Sequence, residues 1–279
     1  MGQKLFAQLI YALLSGFTEF LPVSAFAHQR LFCLVFGLSE PDLLLSLGVH
    51  VGSLAAVLLC SKNRLARFSY EKRLAKHARR GRRNRKNNTS VLMDARLFGT
   101  AMVPVILSSV ALLWSGRLAE NIAVLSLLLL VNGLVLFMPR LLRQGNKDGR
   151  SLSRLDAIIL GIGGSFGVVP GFSRIGCVVT AGAARGTQQG YALDMALLLS
   201  IPGLIGLVLI DVYALIVAGA AISGIALLIA LIGAAISLGV GILAIMLIRY
   251  PFLKSDGLFF AYYSWGLALF PFVLYLTIQ

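Results

Sequence analysis

Five ionisable side chains fall where an apolar chain would be expected to have none: Glu19, His28, Arg30, His50 and Arg174. Charge inside a membrane segment is costly and marks a functional candidate by default. Glu19 and His28 share one stretch, GFTEFLPVSAFAHQR (residues 16–30), with Pro22, Ser24 and Arg30. A carboxylate and an imidazole nine residues apart suit general acid–base work, or binding of a dication by the carboxylate. Arg174 lies in a second stretch, GSFGVVPGFSRIGCVVTAG (residues 164–182), beside Ser173, Gly171 and Gly176. A guanidinium matches phosphate oxygens in pairs, and a helix starting after Ser173 would aim its first amides at an anion. An anion cradle facing a Glu/His loop describes a phosphate site in a membrane.

Each residue also has a structural role open to it. Glu19 and Arg174 can form an ion bridge with no catalytic part. His28 can be a hydrogen-bonded interior histidine, and Arg30 a snorkelling side chain. His50 sits mid-span near Gly48, Gly52 and Ser53, where helix packing explains it. Ser24 and Ser173 have the chemistry of helix caps, as do Asp42 and Asp194. Asn132 and Asp211 read as packing and interface polars.

The elements that must position these residues follow from composition. The chain has 279 residues, is 58% hydrophobic, has a mean hydropathy of +0.87 and is 13% charged; ordinary globular sequence is about a quarter charged. Continuous apolar runs of about 20 residues recur, long enough to span a bilayer, and they do not alternate as barrel strands would. The class is an all-α polytopic membrane protein in one domain, residues 1–279. The net charge of +14 is concentrated: residues 61–90 hold 12 of the 25 Lys and Arg against one acid, Glu71. Such a loop is a topology signal first and a lipid-headgroup contact second. No nucleic-acid motif accompanies it, so nucleic acid is excluded as a partner. Three cysteines (Cys33, Cys60, Cys177) show neither disulfide nor metal spacing. Lys4, the run after it and Ala25-Phe26-Ala27 outline a signal peptide, but Glu19 and Pro22 interrupt it. The segment is therefore read as part of the working protein.

The second polar stretch echoes the first. Placing Pro22 on Pro170 puts Gly16 on Gly164, and Asp42 falls near Asp194 at almost the same offset. Residues 5–15 are an apolar helix too short to span, 16–30 break the pattern, and 31–38 are apolar again. This predicts a re-entrant hairpin, which must be buried in protein or line a watery cavity. Crossings follow at 43–60, 95–115 and 121–139, with a short turn at 116–120. A second hairpin at 155–184 precedes crossings at 191–213, within 214–248, and at 257–278. The basic segments 61–90, 140–154 and 249–254 then share one side, taken as cytoplasmic. One hairpin plus three crossings per half inverts the second repeat (about 154–279) relative to the first (about 1–140). Inverted repeats with broken helices meeting near the midplane are a recurring design for polar cargo in membranes.

Glu19-Phe-Leu-Pro-Val-Ser24 followed by His28, together with Pro170-Gly-Phe-Ser-Arg174-x-Gly176, resembles the undecaprenyl pyrophosphate phosphatases, the bacitracin-resistance family of bacterial inner membranes. The likeness runs over nearly the whole chain and includes Gly52-Ser53-Leu54 after His50. It implies hydrolysis of undecaprenyl pyrophosphate to undecaprenyl phosphate, recycling the lipid carrier of cell-wall synthesis. It also implies a Mg²⁺ or Ca²⁺ requirement and a site opening to the outer face. By that likeness Glu19 assists the metal or the water, His28 is base or nucleophile, and Arg174 holds the pyrophosphate. Ser173, Ser24, Gly171, Gly176 and His50 are the expected substrate contacts.

The chain departs from the family's pattern at several points. Members usually carry glutamate in place of Ser15, serine in place of Ala25 and Ile175, glycine in place of Ala27, a small hydroxyl residue near Val178, and an acid in place of Ser46. A nucleophilic serine at position 25 is thereby closed, while His28 or water activated by Glu19 stays open. Two further function classes fit the same architecture: a paralogue that binds or moves polyprenyl phosphate without hydrolysis, and an ion-coupled transporter of small anions.

Overall fold

The computed structural model describes residues 2–37, 42–78, 89–143, 145–219, 222–255 and 257–278. Every regular element among them is helical. The first hairpin is α1 (Gly2–Thr18) and α2 (Ala25–Val35). It is followed by α3 (Leu43–Ala78), α4 (Thr89–Ser108), α5 (Leu112–Glu120) and α6 (Ile122–Leu141). The second hairpin is α7 (Arg154–Ser165) and α8 (Arg174–Ala184), followed by α9 (Gln189–Ala218), α10 (Gly224–Ser255) and α11 (Leu258–Ile278). Five segments are long and apolar enough to cross a membrane: Leu43–Phe68, Ala95–Leu118, Ile122–Leu141, Gln189–Ala218 and Gly224–Arg249. α11 adds 21 further, mostly apolar, helical residues.

Local chemistry sets the helix ends. Asp42 accepts the amides of Leu44 and Leu45 and so starts α3, and Asn121 does the same for Ala123 and Val124 at α6. α7 opens on a capping box between Ser153 and Asp156. α9 stops at Gly219, whose φ of +56° is the left-handed conformation glycine adopts freely. Pro104, Pro139, Pro202 and Pro271 all lie inside long helices.

Packing brings the hairpins inward. α1 rests on α10 and α7 on α4, while α3 contacts both α10 and α9, and α6 pairs with α11. Gly48 and Gly52 let α3 approach α10 closely, since a Cβ at either would run into the carbonyl of Ala230 or Ala234. This is the small-residue spacing of membrane helix pairs. Large apolar side chains face outward: Leu107 is 68% exposed, Leu141 72% and Ile216 72%. In water that surface would be an interaction patch; in a bilayer it is the lipid contact.

Several sequence expectations change in detail. α1 stays helical through Gly16 to Thr18, so the first break is confined to residues 19–24. Residues 116–120, expected as a turn, belong to α5, which ends only at Asn121, the cap of α6; a single Gly116 costs a helix about 1 kcal/mol and does not end it. α3 continues past its apolar stretch to Ala78, making the first part of the basic segment helical; residues 79–88 lie outside the described residues. Asp194 is not a cap. It sits inside α9 and binds Arg64 of α3 and Arg249 of α10.

Candidate active site

The two breaks meet. Residues 19–24 join α1 to α2, and residues 166–173 join α7 to α8. Each following helix is capped by its serine: Ser24 Oγ accepts from the Ala27 amide at 3.2 Å, and Ser173 Oγ from the Gly176 amide at 3.1 Å. Each serine also reaches across. The Gly171 amide donates to Ser24 Oγ at 3.0 Å, and Ser173 Oγ donates to the Leu21 carbonyl at 3.4 Å. Gly171 has φ +94°, and a Cβ there would lie 2.6 Å from Leu128 Cβ. The turn therefore requires glycine twice over. Asn132 of α6 completes the joint: its Oδ1 accepts the Ser173 amide at 2.9 Å and its Nδ2 donates to Ser264 at 3.1 Å.

Arg174 is the first residue of α8. Its Nη1 donates to Glu19 Oε1 at 2.9 Å, with both side chains under 10% exposed. Two glycines form the slot for the guanidinium. A Cβ on Gly167 would lie 2.7 Å from Arg174 Nε, and one on Gly203 2.7 Å from its Cζ. The start of α2 is close by, since Ala25 and Phe26 line the same small cavity as Glu19 and Arg174. Opening amides of a helix lack intrahelical acceptors, so the starts of α2 and α8 add partial positive charge beside Arg174.

That cavity holds about 30 Å³, room for a water or two. It adjoins a vestibule of about 400 Å³, with Phe26, Gln29, His50 and Leu207 bordering both. The vestibule is walled by Tyr11, Cys33, Leu112, Leu113 and Ile210, with Arg30 and Arg117 among its polar groups. Its Ser46 lies at the opposite end of the α3 span from Arg64, which meets Arg249 on Asp194.

His28 and His50 differ. His28 lines neither cavity. Its Nδ1 contacts the Ser24 carbonyl at 2.6 Å and its Nε2 the Tyr263 hydroxyl at 2.7 Å, with the rings parallel. A carbonyl only accepts, so Nδ1 carries the hydrogen; in the neutral ring Nε2 then accepts from Tyr263. His50 lines both cavities, and its Nδ1 lies 2.6 Å from Asp211 Oδ2. Ser46 Oγ donates to the other carboxylate oxygen at 3.3 Å.

Of the sequence candidates, Glu19, Arg174 and His50 share the cavity. Ser24, Ser173, Gly171 and Gly176 build the joint behind it, and His28 braces α2 against α11. Gly167, Gly203, Asn132, Tyr263 and the carboxylate of Asp211 were not picked out as site residues. Asn132 and Asp211 carried a signal in advance, being polar groups deep in apolar helices.

A resident dication does not fit these donors. Glu19 is one carboxylate, already bonded to a guanidinium, and Ser15 one turn earlier offers no second. Among the described residues no three His, Cys, Asp or Glu gather as a ligand set. Mg²⁺ is commonly held by one or two carboxylates plus substrate phosphates, so it would enter with its substrate.

The chain is similar to known proteins over nearly its whole length. Over 98% of both chains it is 30% identical to an undecaprenyl-diphosphatase of Thermodesulfovibrio yellowstonii. Enzymes of the same name from Carboxydothermus hydrogenoformans (26%, over 96% of this chain and 97% of the relative) and Halothermothrix orenii (24%, over 97% and 98%) match equally fully. The family model for bacitracin resistance protein BacA matches residues 8–270. The chain, a multi-pass helical membrane protein, belongs to the BacA family.

Proposed function

We propose that this protein hydrolyses undecaprenyl diphosphate to undecaprenyl phosphate and inorganic phosphate. The observation that carries this is the buried pair of Glu19 and Arg174, on a small cavity beside the starts of α2 and α8 that adjoins a mostly apolar vestibule. The polar end suits a diphosphate and the vestibule the first isoprene units. A terminal phosphate competes with Glu19 for Arg174, which can bind its oxygens in pairs. The displaced carboxylate then faces the diphosphate, where it would help hold any Mg²⁺ or Ca²⁺ that enters with the substrate. Water attacks the terminal phosphorus, the bond from phosphorus to the bridging oxygen breaks, and the electron pair leaves with the lipid monophosphate. Arg174 and the helix starts stabilise the charge that moves onto those oxygens.

The finer architecture belongs to the same proposal. Hairpin α1–α2 corresponds to α7–α8, α3 to α9, α4 with α5 to α10, and α6 to α11, as two inverted repeats. Its support is the exchange of partners, with α1 on α10 of the other half and α7 on α4. The basic ends are cytoplasmic by their Lys and Arg excess, so the vestibule opens to the outer face of the inner membrane. Ser15 and Ala25 favour a second reading, in which the protein binds or moves the lipid without hydrolysis.

One assay separates the two. Purified protein in detergent is given undecaprenyl diphosphate, or a shorter polyprenyl diphosphate, with and without divalent cation, and released phosphate is measured. Cation-dependent release, lost in Arg174→Ala, is the expected result. Retained lipid binding with no release would leave the second reading standing.

A further inference from the structure

We infer that His50, held by Asp211, is the general base that activates the attacking water. This rests on the phosphatase reading and adds the group that takes the proton. Among the described residues, His50 is the one histidine that shares a cavity with Glu19 and Arg174. Its Nδ1 contact at 2.6 Å is to a carboxylate, which accepts only, so Nδ1 carries a hydrogen. In the neutral ring Nε2 then holds the lone pair. Asp211 is itself fixed by Ser46 on its second oxygen, so tautomer and ring orientation are set together. An imidazole oriented by a carboxylate on one nitrogen and free to take a proton on the other is a general base built for the purpose. His28 lacks this arrangement, because both its nitrogens are engaged and it lines neither cavity.

The step balances. A water in the cavity gives one proton to His50 Nε2 as its oxygen bonds to the terminal phosphorus. The bond to the bridging oxygen breaks, and that oxygen keeps the electron pair as part of the lipid monophosphate. The imidazolium later returns its proton to solvent through the vestibule. Asp211 is a positioning residue, since it touches His50 and not the reacting atoms. It comes from the second half of the chain, whereas His50 and Ser46 come from the first. The carboxylate is also placed so that position 46, one turn before His50 on α3, could supply it instead.

The test uses the full-length protein in detergent with a polyprenyl diphosphate, comparing His50→Gln, His28→Gln, Asp211→Asn and the exchange Ser46→Asp with Asp211→Ser. His50→Gln is expected to lower kcat about 100- to 10,000-fold, the usual range for a general base, with KM moving less than about threefold. His28→Gln costs less than His50→Gln. Asp211→Asn lowers kcat, and the exchange regains at least a tenfold part of that loss. In His50→Ala, added imidazoles should restore turnover in order of their basicity, which a packing role would not produce. Binding of a non-hydrolysable methylene analogue and thermal melting confirm that each variant is folded. Full activity in His50→Gln, a larger loss at His28, or imidazole rescue independent of basicity overturns the inference while the phosphatase reading stands. No phosphate release by the wild type overturns both.

Discussion

The two hairpins meet tip to tip, yet they are held by different forces. The second is tied by directional polar bonds at both ends. At its foot, Asp156 receives Arg185 Nε at 2.6 Å and Lys147 Nζ at 3.5 Å besides closing the capping box, and Lys147 pairs through its backbone with Gly186 and Gln188. At its tip, Asn132 grips Ser173. The first hairpin has a polar tie at its tip and one from His28 to Tyr263, and away from these it rests on apolar packing, with Tyr11, Ala12, Phe32 and Cys33 against Leu45 and Val49. Arg30 has a buried Nε with no hydrogen-bond partner among the described residues. Apolar burial is non-directional, whereas hydrogen bonds fix orientation. The comparison teaches a division of labour: the second hairpin presents a preset guanidinium, and the first brings a carboxylate whose direct hold is that guanidinium.

The comparison is broken most severely at Arg174. Arg174→Ala removes the anion holder and leaves Glu19 buried without a partner, a change that costs about 3–5 kcal/mol in stability. Phosphate release should fall at least about 1,000-fold, the scale reached when a charge stabiliser of a phosphoryl transition state is lost, and the melting temperature should drop with it. Glu19→Gln leaves Arg174 buried without a counter-charge but keeps an acceptor for its Nη1, so it should cost less stability than Arg174→Ala. Gly203→Ala probes the slot alone. Its Cβ would push the guanidinium aside, so kcat/KM should fall about 10- to 100-fold, the scale of a 1 Å misplacement, and melting should drop by less than in Arg174→Ala.

Smaller effects sharpen the contrast. Asn132→Ala leaves the buried Ser173 amide unmet, which costs about 1–3 kcal/mol; chemical denaturation should show it, together with a modest loss of rate. The foot of the second hairpin should respond to pH. Burial raises the Asp156 pKa, but the Ser153 amide and hydroxyl, Arg185 and Lys147 outweigh it and hold the group at about 2 rather than 3.8. A depressed carboxylate contributes stability above its unfolded pKa and loses it as pH falls through the folded one. Melting temperature should therefore decline between about pH 4 and pH 2, and Asp156→Asn should flatten that decline.

Much of this was legible in the chain. Pro22 and Pro170 with their glycines announced two broken helices, and Glu19 and Arg174 stood out because a bilayer tolerates charge only when it is paired or useful. What stayed hidden depends on contacts between helices far apart in sequence. Asp211 reads as an isolated polar group until α9 is laid beside α3, where it becomes the partner of His50. Asn132 looks like packing until the tip of α8 lands on it. Asp194 resembles a cap by composition, yet two arginines from other helices claim it. Gly167 and Gly203 show no purpose until a guanidinium lies between them.

The central claim is that the two hairpins form one site through Glu19 and Arg174. A double-mutant cycle tests it most directly, measuring kcat/KM for phosphate release in the wild type, Glu19→Gln, Arg174→Gln and the double variant. Residues acting as a unit are strongly non-additive, so the double variant should be little worse than the poorer single one. Losses that simply multiply would contradict the account and place the two residues at separate tasks.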